Sequence, residues 1–166
     1  MPAVYITMLS ELLSREECAR CRICCCFDSG DLWEAPIISE DTMQRITGLL
    51  PQTQFAHAGE SSRVIKMNRE PDEDLYYCDV LDREKGCMLG DEKPFDCRIW
   101  PLRVMNFEGK TVIALSPVCP VVKTRPLEKI AETAKRLAPV IFDHADKNPD
   151  LVKPYETGYV VLEIRG

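Results

Sequence analysis

The clearest hydrophobic pattern in the chain is a stripe of Leu127, Ile130, Ala131, Ala134, Leu137 and Ala138. Its steps of three and four place these residues on one face of an amphipathic helix. Pro126 suits the first turn of that helix. Pro139 is expected to break or kink it, with a further turn or two reaching Lys147 before Asn148-Pro149. Met43, Ile46 and Leu50 repeat the helical spacing after Ser39-Glu40-Asp41, a cap residue followed by two acids, and Pro51 ends that run. Elsewhere the pattern is extended. Leu102 to Phe107 and Lys110 to Leu115 read as a hairpin turning at Glu108-Gly109. Arg63 to Asn68 and Leu75 to Leu81 read as short strands, and Tyr159 to Ile164 as a β-branched strand. Ser14-Arg15-Glu16-Glu17 matches a capping box and predicts a helical turn leading into Cys18. Residues 147–157 read as a loose connection.

Composition narrows the class. The chain has 166 residues, 45% of them hydrophobic, which suffices to bury a core in one domain spanning 1–166. A net charge of −6 disfavours nucleic acid, whose phosphates require clustered Lys and Arg. The longest uncharged stretch, Thr111 to Val122, is too short to span a bilayer. Met1 to Ser14 lacks the basic start and unbroken apolar run of a secretory signal. These features predict a cytoplasmic protein, where structural disulfides are rare. Nine cysteines, an odd number, also fit poorly with a closed disulfide framework.

The cysteines change the picture most. Five fall in Cys18-Ala-Arg-Cys21-Arg-Ile-Cys24-Cys25-Cys26, and the others are Cys78, Cys87, Cys97 and Cys119. Thiolates are ligands for zinc and iron–sulfur centres. A straight helix would not aim Cys18, Cys21 and Cys24 at one point, so turns are expected to wrap the segment from Cys18 to Cys26 around its ligand. The Cys18, Cys21, Cys24 spacing reproduces three ligands of the bacterial ferredoxin run, and Cys119-Pro120 supplies a distant Cys-Pro. One partition of the sulfurs is therefore Cys18, Cys21, Cys24 and Cys119, with Cys25, Cys78, Cys87 and Cys97 as a second four. Many other partitions are open. Cys26 reads as a buried thiol, because three consecutive side chains point in different directions. With only His57 and His144 in the chain, histidine-rich zinc, non-haem iron and blue-copper sites are disfavoured. The remaining cofactors are an iron–sulfur cluster, of the [4Fe–4S] type, or zinc held by four cysteines.

Downstream lie Cys78-Asp-Val-Leu-Asp82, Gly86-Cys87-Met-Leu89 and Lys93-Pro-Phe-Asp-Cys97-Arg98-Ile-Trp100-Pro101. Joined to CxxCxxCC, this block resembles the cysteine-cluster family of zinc- or iron-chelating domains, from Cys18 to Cys119 (motif core 18–120). The resemblance implies a chelating set of Cys18, Cys21, Cys24, Cys25, Cys78, Cys87, Cys97 and Cys119. The chain departs from the family pattern at Cys26, at Asp79 where proline is common, at Lys93 where arginine is usual and at Trp100 where phenylalanine is usual.

Arg98, directly after Cys97, is a candidate for hydrogen-bonding cluster sulfurs or holding an anionic substrate, against the plainer reading of an ion-paired surface arginine. Trp33 and Trp100 read as core packing before cluster shielding. His57 reads as solvent-facing, and His144 as a weak candidate ligand. Glu70 to Asp74 reads as a solvated acidic loop without the spacing of a calcium site. The expected fold is a small single α+β domain, with irregular metal-organised loops, a modest antiparallel sheet and a C-terminal amphipathic helix. The expected function is a cytoplasmic protein coordinating an iron–sulfur cluster and/or zinc through thiolates, with a redox or enzymatic role. The alternatives are a structural zinc module that presents a surface to a protein partner, and a metal chaperone or store. No membrane or nucleic-acid partner is expected.

Overall fold

The computed structural model describes residues 8–21, 23–27 and 35–166; Trp33 lies outside them. The chain is α+β, with α-helices alternating with small sheets. It divides into two compact units, Arg15–Cys97 and Arg98–Gly166, the latter together with the segment up to Ser14. Among the described residues no helix is long and apolar enough to cross a membrane.

The Arg15–Cys97 unit is made of short pieces. Helix α1 (Arg15–Cys21) is followed by a 3-10 turn, Ile23–Cys25, and by strand β1 (Cys26–Phe27). The stretch expected to form turns from Cys18 is thus helical as far as Cys21. Strand β2 (Ile37–Ser39) leads into α2 (Glu40–Leu49), which is capped as the sequence predicts: Thr42 N–H donates to Ser39 Oγ at 3.3 Å. β3 (Phe55–His57) and β2 both pair antiparallel with β4 (Ser62–Ile65), whose Val64 and Ile65 are buried.

The strand expected over 63–68 divides at Lys66. Its continuation, β5 (Met67–Asn68), belongs to another sheet of order β1-β6-β5 with β6 (Tyr76–Cys78). The strand expected over 75–81 divides likewise, at Asp79-Val80, before β7 (Leu81–Asp82) pairs with β8 (Gly86–Cys87). Local alternation cannot register such a change of sheet. It is set by distant groups: Gln54 N–H donates to Asp79 Oδ2 at 3.1 Å, Lys66 N–H to Gln54 O at 2.9 Å and Asp79 N–H to Lys66 O at 3.1 Å. Ile38, Ile46, Ile65, Val80 and Leu89 form the core, with Cys78 and Cys87 packed against it. Short helix α3 (Phe95–Ile99) follows a 3-10 turn at Gly90–Glu92.

The second unit has longer elements and a more regular core. Strands β9 (Leu102–Phe107) and β10 (Lys110–Leu115) form the expected hairpin, with Lys110 opposite Phe107. Glu108 and Gly109 both have positive φ, 51° and 82°, as the tight two-residue turn requires. Gly109 N–H donates to Asn106 Oδ1 at 2.9 Å across it. Helix α4 runs over Leu127–Lys147 with Pro139 inside it, so the proline does not break the helix, which reaches Lys147 as expected. Both Pro139 and Lys135, whose carbonyl loses its partner there, face solvent, so water can satisfy that oxygen. The buried stripe then resumes at Ile141 and Ala145.

β11 (Lys153–Pro154) adds to β9 in parallel, and β12 (Val160–Ile164) adds to β10 antiparallel. The sheet order is β11-β9-β10-β12, so one edge of the expected antiparallel sheet is parallel. Helix α4 lies against β9 and β12. Arg165 also pairs with Asp146, joining the end of the sheet to the end of the helix.

Candidate metal centre

Eight of the nine cysteines lie in the Arg15–Cys97 unit, on elements that are distant in sequence. Cys18 and Cys21 are three residues apart on α1, and Cys24 and Cys25 occupy the 3-10 turn. Cys26 opens β1, Cys78 ends β6, Cys87 ends β8 and Cys97 sits in the middle of α3. No disulfide joins any of the nine cysteines.

Backbone pairing begins their assembly. Cys26 is opposite Tyr77 and Phe27 opposite Tyr76, which brings the start of β1 beside the end of β6, where Cys78 lies. Cys87 is opposite Leu81, and Met88 N–H donates to Val80 O at 2.9 Å. Cys78 and Cys87 therefore flank Val80 and pack on one hydrophobic cluster. Helix α1, which carries Cys18 and Cys21, lies against β8.

Side-chain electrostatics tie four of these thiols together. The Cys24 thiol is pushed well up by hydrogen bonding with Cys25, then by burial. Burial pushes Cys78 up to about 12, and Cys87 and Cys24 add to the shift. Burial also raises Cys87, again with a contribution from Cys24. Cys97 is raised well above its ordinary value by burial first, then by Cys24, Cys78 and Cys87. Burial and neighbouring thiolates act alike: a thiolate in a poorly solvated place beside other thiolates is costly.

The Cys24 thiol thus bears on Cys78, Cys87 and Cys97, and is itself hydrogen-bonded with Cys25. This grouping differs from the expected partition, which separated Cys24 from the other three. Cys119 belongs to the other unit, where it is buried and its carbonyl accepts from Lys123 N–H. Among the described residues no three Cys, His, Asp or Glu side chains stand at ligating geometry.

Two carboxylates that the cysteine motifs do not single out support this arrangement. Asp96 is buried at 7% exposure and accepts from Ile37 N–H at 3.0 Å, tying α3 to β2. Asp79, the departure from proline after Cys78, accepts from Gln54 N–H and from the Asn68 side chain. The available signal was an acidic residue directly beside a cysteine in a turn, where a carboxylate bonds nearby N–H groups.

Arg98 follows Cys97 on α3 and is partly exposed. Trp100 lies in the second unit, where the Arg103 guanidinium sits 5.1 Å from its ring and its indole N–H is buried without a hydrogen bond. His57 is exposed on β3. His144 is partly buried on α4, and its carbonyl accepts from Asn148. In the acidic loop Glu73 pairs with Arg83, which also lies 4.0 Å from the Tyr77 ring centroid. No family model, curated protein or solved structure is similar to this chain.

Proposed function

We propose that this chain binds a metal through thiolates, at a centre built from Cys24, Cys78, Cys87 and Cys97. What supports the reading is that four half-buried, unbridged thiols, drawn from a turn, two strand ends and a helix, are linked electrostatically, Cys24 bearing on each of the other three. The donor set fits zinc or an iron–sulfur cluster, both of which take four thiolates. When bound, the metal supplies positive charge that stabilises four adjacent thiolates, and either a closed structural node or a site for electron transfer.

The thinness of the core argues in the same direction. Among the described residues its hydrophobic cluster comprises Ile38, Ile46, Ile65, Val80 and Leu89, and only Ile38 and Ile65 of these lie on strands, of three and four residues. A unit of this kind needs a staple, and no disulfide serves as one. Loading requires the thiols to turn inward and release their protons. Cys18 and Cys21 on the neighbouring α1, together with Cys25, complete the larger chelating set in the Arg15–Cys97 unit. Cys119, the eighth thiol of the expected set, and Arg98 have no part in the four-thiol centre proposed here. Nine unbridged thiols suit a reducing compartment, the cytoplasm.

The test is metal analysis and absorption of the full chain purified without oxygen. Broad visible absorption that bleaches with dithionite assigns an iron–sulfur centre and a redox role. Colourless protein with stoichiometric zinc assigns a structural module, or a store if strong chelators strip it within minutes. Protein that carries no metal and takes up none, while remaining folded, overturns the reading and leaves Cys78 and Cys87 as core-packing thiols.

A further inference from the structure

We propose that Asp79 is the positioning residue of the thiol centre: its carboxylate pins the corner that sets Cys78 against Cys87, and so sets how tightly a metal is held there. The inference rests on the thiolate–metal reading above and adds to it the residue that pre-organises two of the four donors.

The corner is Cys78-Asp79-Val80, where the chain leaves β6 and turns toward β7. Before it, Cys78 is held by pairing with Met67 of β5. After it, Val80 is buried at 2% exposure, and its carbonyl accepts at 2.9 Å from the N–H of Met88, the residue next to Cys87. The two cysteines therefore stand on either side of one corner. The shape of that corner decides how their backbones are placed relative to each other.

Asp79 holds the corner from three directions. Its Oδ2 accepts from Gln54 N–H at 3.1 Å, just before β3, and its Oδ1 accepts from the Asn68 side-chain amide at 2.5 Å, at the end of β5. Its own N–H donates to Lys66 O at 3.1 Å. The anchors are joined in turn: Lys66 N–H donates to Gln54 O at 2.9 Å, and the Lys66 ammonium donates to Gln54 Oε1 at 2.9 Å. β3 and β5 belong to different sheets, so the carboxylate bridges the two sheets at the residue after Cys78. Without that bridge the corner regains conformational freedom, and metal binding must order it. An acceptor that touches no metal is thereby expected to appear in the affinity.

The test is cobalt(II) binding to the full chain purified without oxygen, by competition with a chelator, together with the thiolate-to-cobalt absorption of the saturated protein. Asp79→Ala is expected to lose affinity on the order of tenfold, the usual scale for a group just outside the ligand shell. Its saturated absorption should fall toward that of Cys78→Ser, because a misplaced Cys78 is not gathered in. A chain that is merely less stable would recover the full absorption once saturated. Asp79→Asn keeps an oxygen for Gln54 N–H and offers its amide to a turned Asn68 side chain, so it should stay within about threefold of wild type. Asn68→Ala, at an exposed position, removes a single bond and carries the test if Asp79→Ala does not fold, with an expected loss of about threefold. An Asp79→Ala chain that binds as tightly as wild type, or that loses affinity with its saturated absorption intact, overturns the positioning role and leaves the metal reading standing. So does an Asp79→Asn chain as weak as Asp79→Ala, or, where Asn68→Ala stands in, wild-type affinity in that variant. A wild-type chain that takes up no cobalt overturns both.

Discussion

Asp96 shows what a single residue contributes here. Its carboxylate is buried and bonded to a backbone N–H fifty-nine residues away, so it fixes the helix of Cys97 against the strand that leads into α2. Substituting Asp96→Ala strands that N–H and is expected to cost about 2 kcal/mol, the usual scale for a hydrogen bond to a charged acceptor. Urea denaturation at neutral pH measures the loss directly; an unchanged midpoint would mean that water replaces the carboxylate without penalty. The sequence offered little sign of this role. An acid beside a cysteine is as common on a surface as in a core, and only the arrival of Ile37 distinguishes the two. The cysteines themselves stand out in the sequence, five of them within nine residues. Their grouping does not, since sequence separation says nothing about which of nine sulfurs become neighbours.

Elements were legible in proportion to their length. The β9–β10 hairpin, the Ser39-capped helix α2 and the stripe of α4 could each be read from local patterning, because turn chemistry, capping and periodicity act within a few residues. The two- and four-residue strands around the thiols could not, since their boundaries depend on which distant strand offers partners. Helix α4 also shows how context overrides a local rule. Pro139 costs a hydrogen bond, yet the helix continues because Ile141 and Ala145 beyond it are buried. Packing of that second half therefore outweighs the proline. Ile141, with no exposed surface, carries much of it. Ile141→Ala is expected to destabilise the Arg98–Gly166 unit by about 3 kcal/mol. The check is thermal or urea unfolding followed by the helical signal; a loss below about 1 kcal/mol would show that the helix end contributes little.

At the scale of the whole molecule, the proposal has a consequence in pH. Cys78 ionises near 9 in an unfolded chain and near 12 when buried in the folded one. Between those values the unfolded state holds fewer protons than the folded state. The thiol's stabilising contribution is therefore complete below about pH 9 and lost as pH rises toward about 12. The slope is about 1.4 kcal/mol per pH unit for each such thiol, and Cys24, Cys87 and Cys97 shift in the same direction. Metal-free protein should thus unfold more readily at pH 10 than at pH 8. Metal-loaded protein, whose thiols are already deprotonated, should show the reverse dependence and lose stability as pH falls. Parallel urea titrations with and without chelator across pH 6–10 test this. Identical pH profiles for the two forms would count against thiolate ligation.

The amino-acid sequence by itself determined the hairpin, the capped helix, the amphipathic C-terminal helix and the presence of soft donor chemistry. Each of these depends on residue type and on neighbours a few positions away. The tertiary structure decided that Cys24 bears on residues 78, 87 and 97, that Cys119 belongs to the other unit, that Asp79 and Asp96 are structural acceptors and that Pro139 is tolerated. These outcomes depend on strand pairings and burial between segments tens of residues apart. No local pattern encodes them, because the energy that selects them appears only once the segments meet.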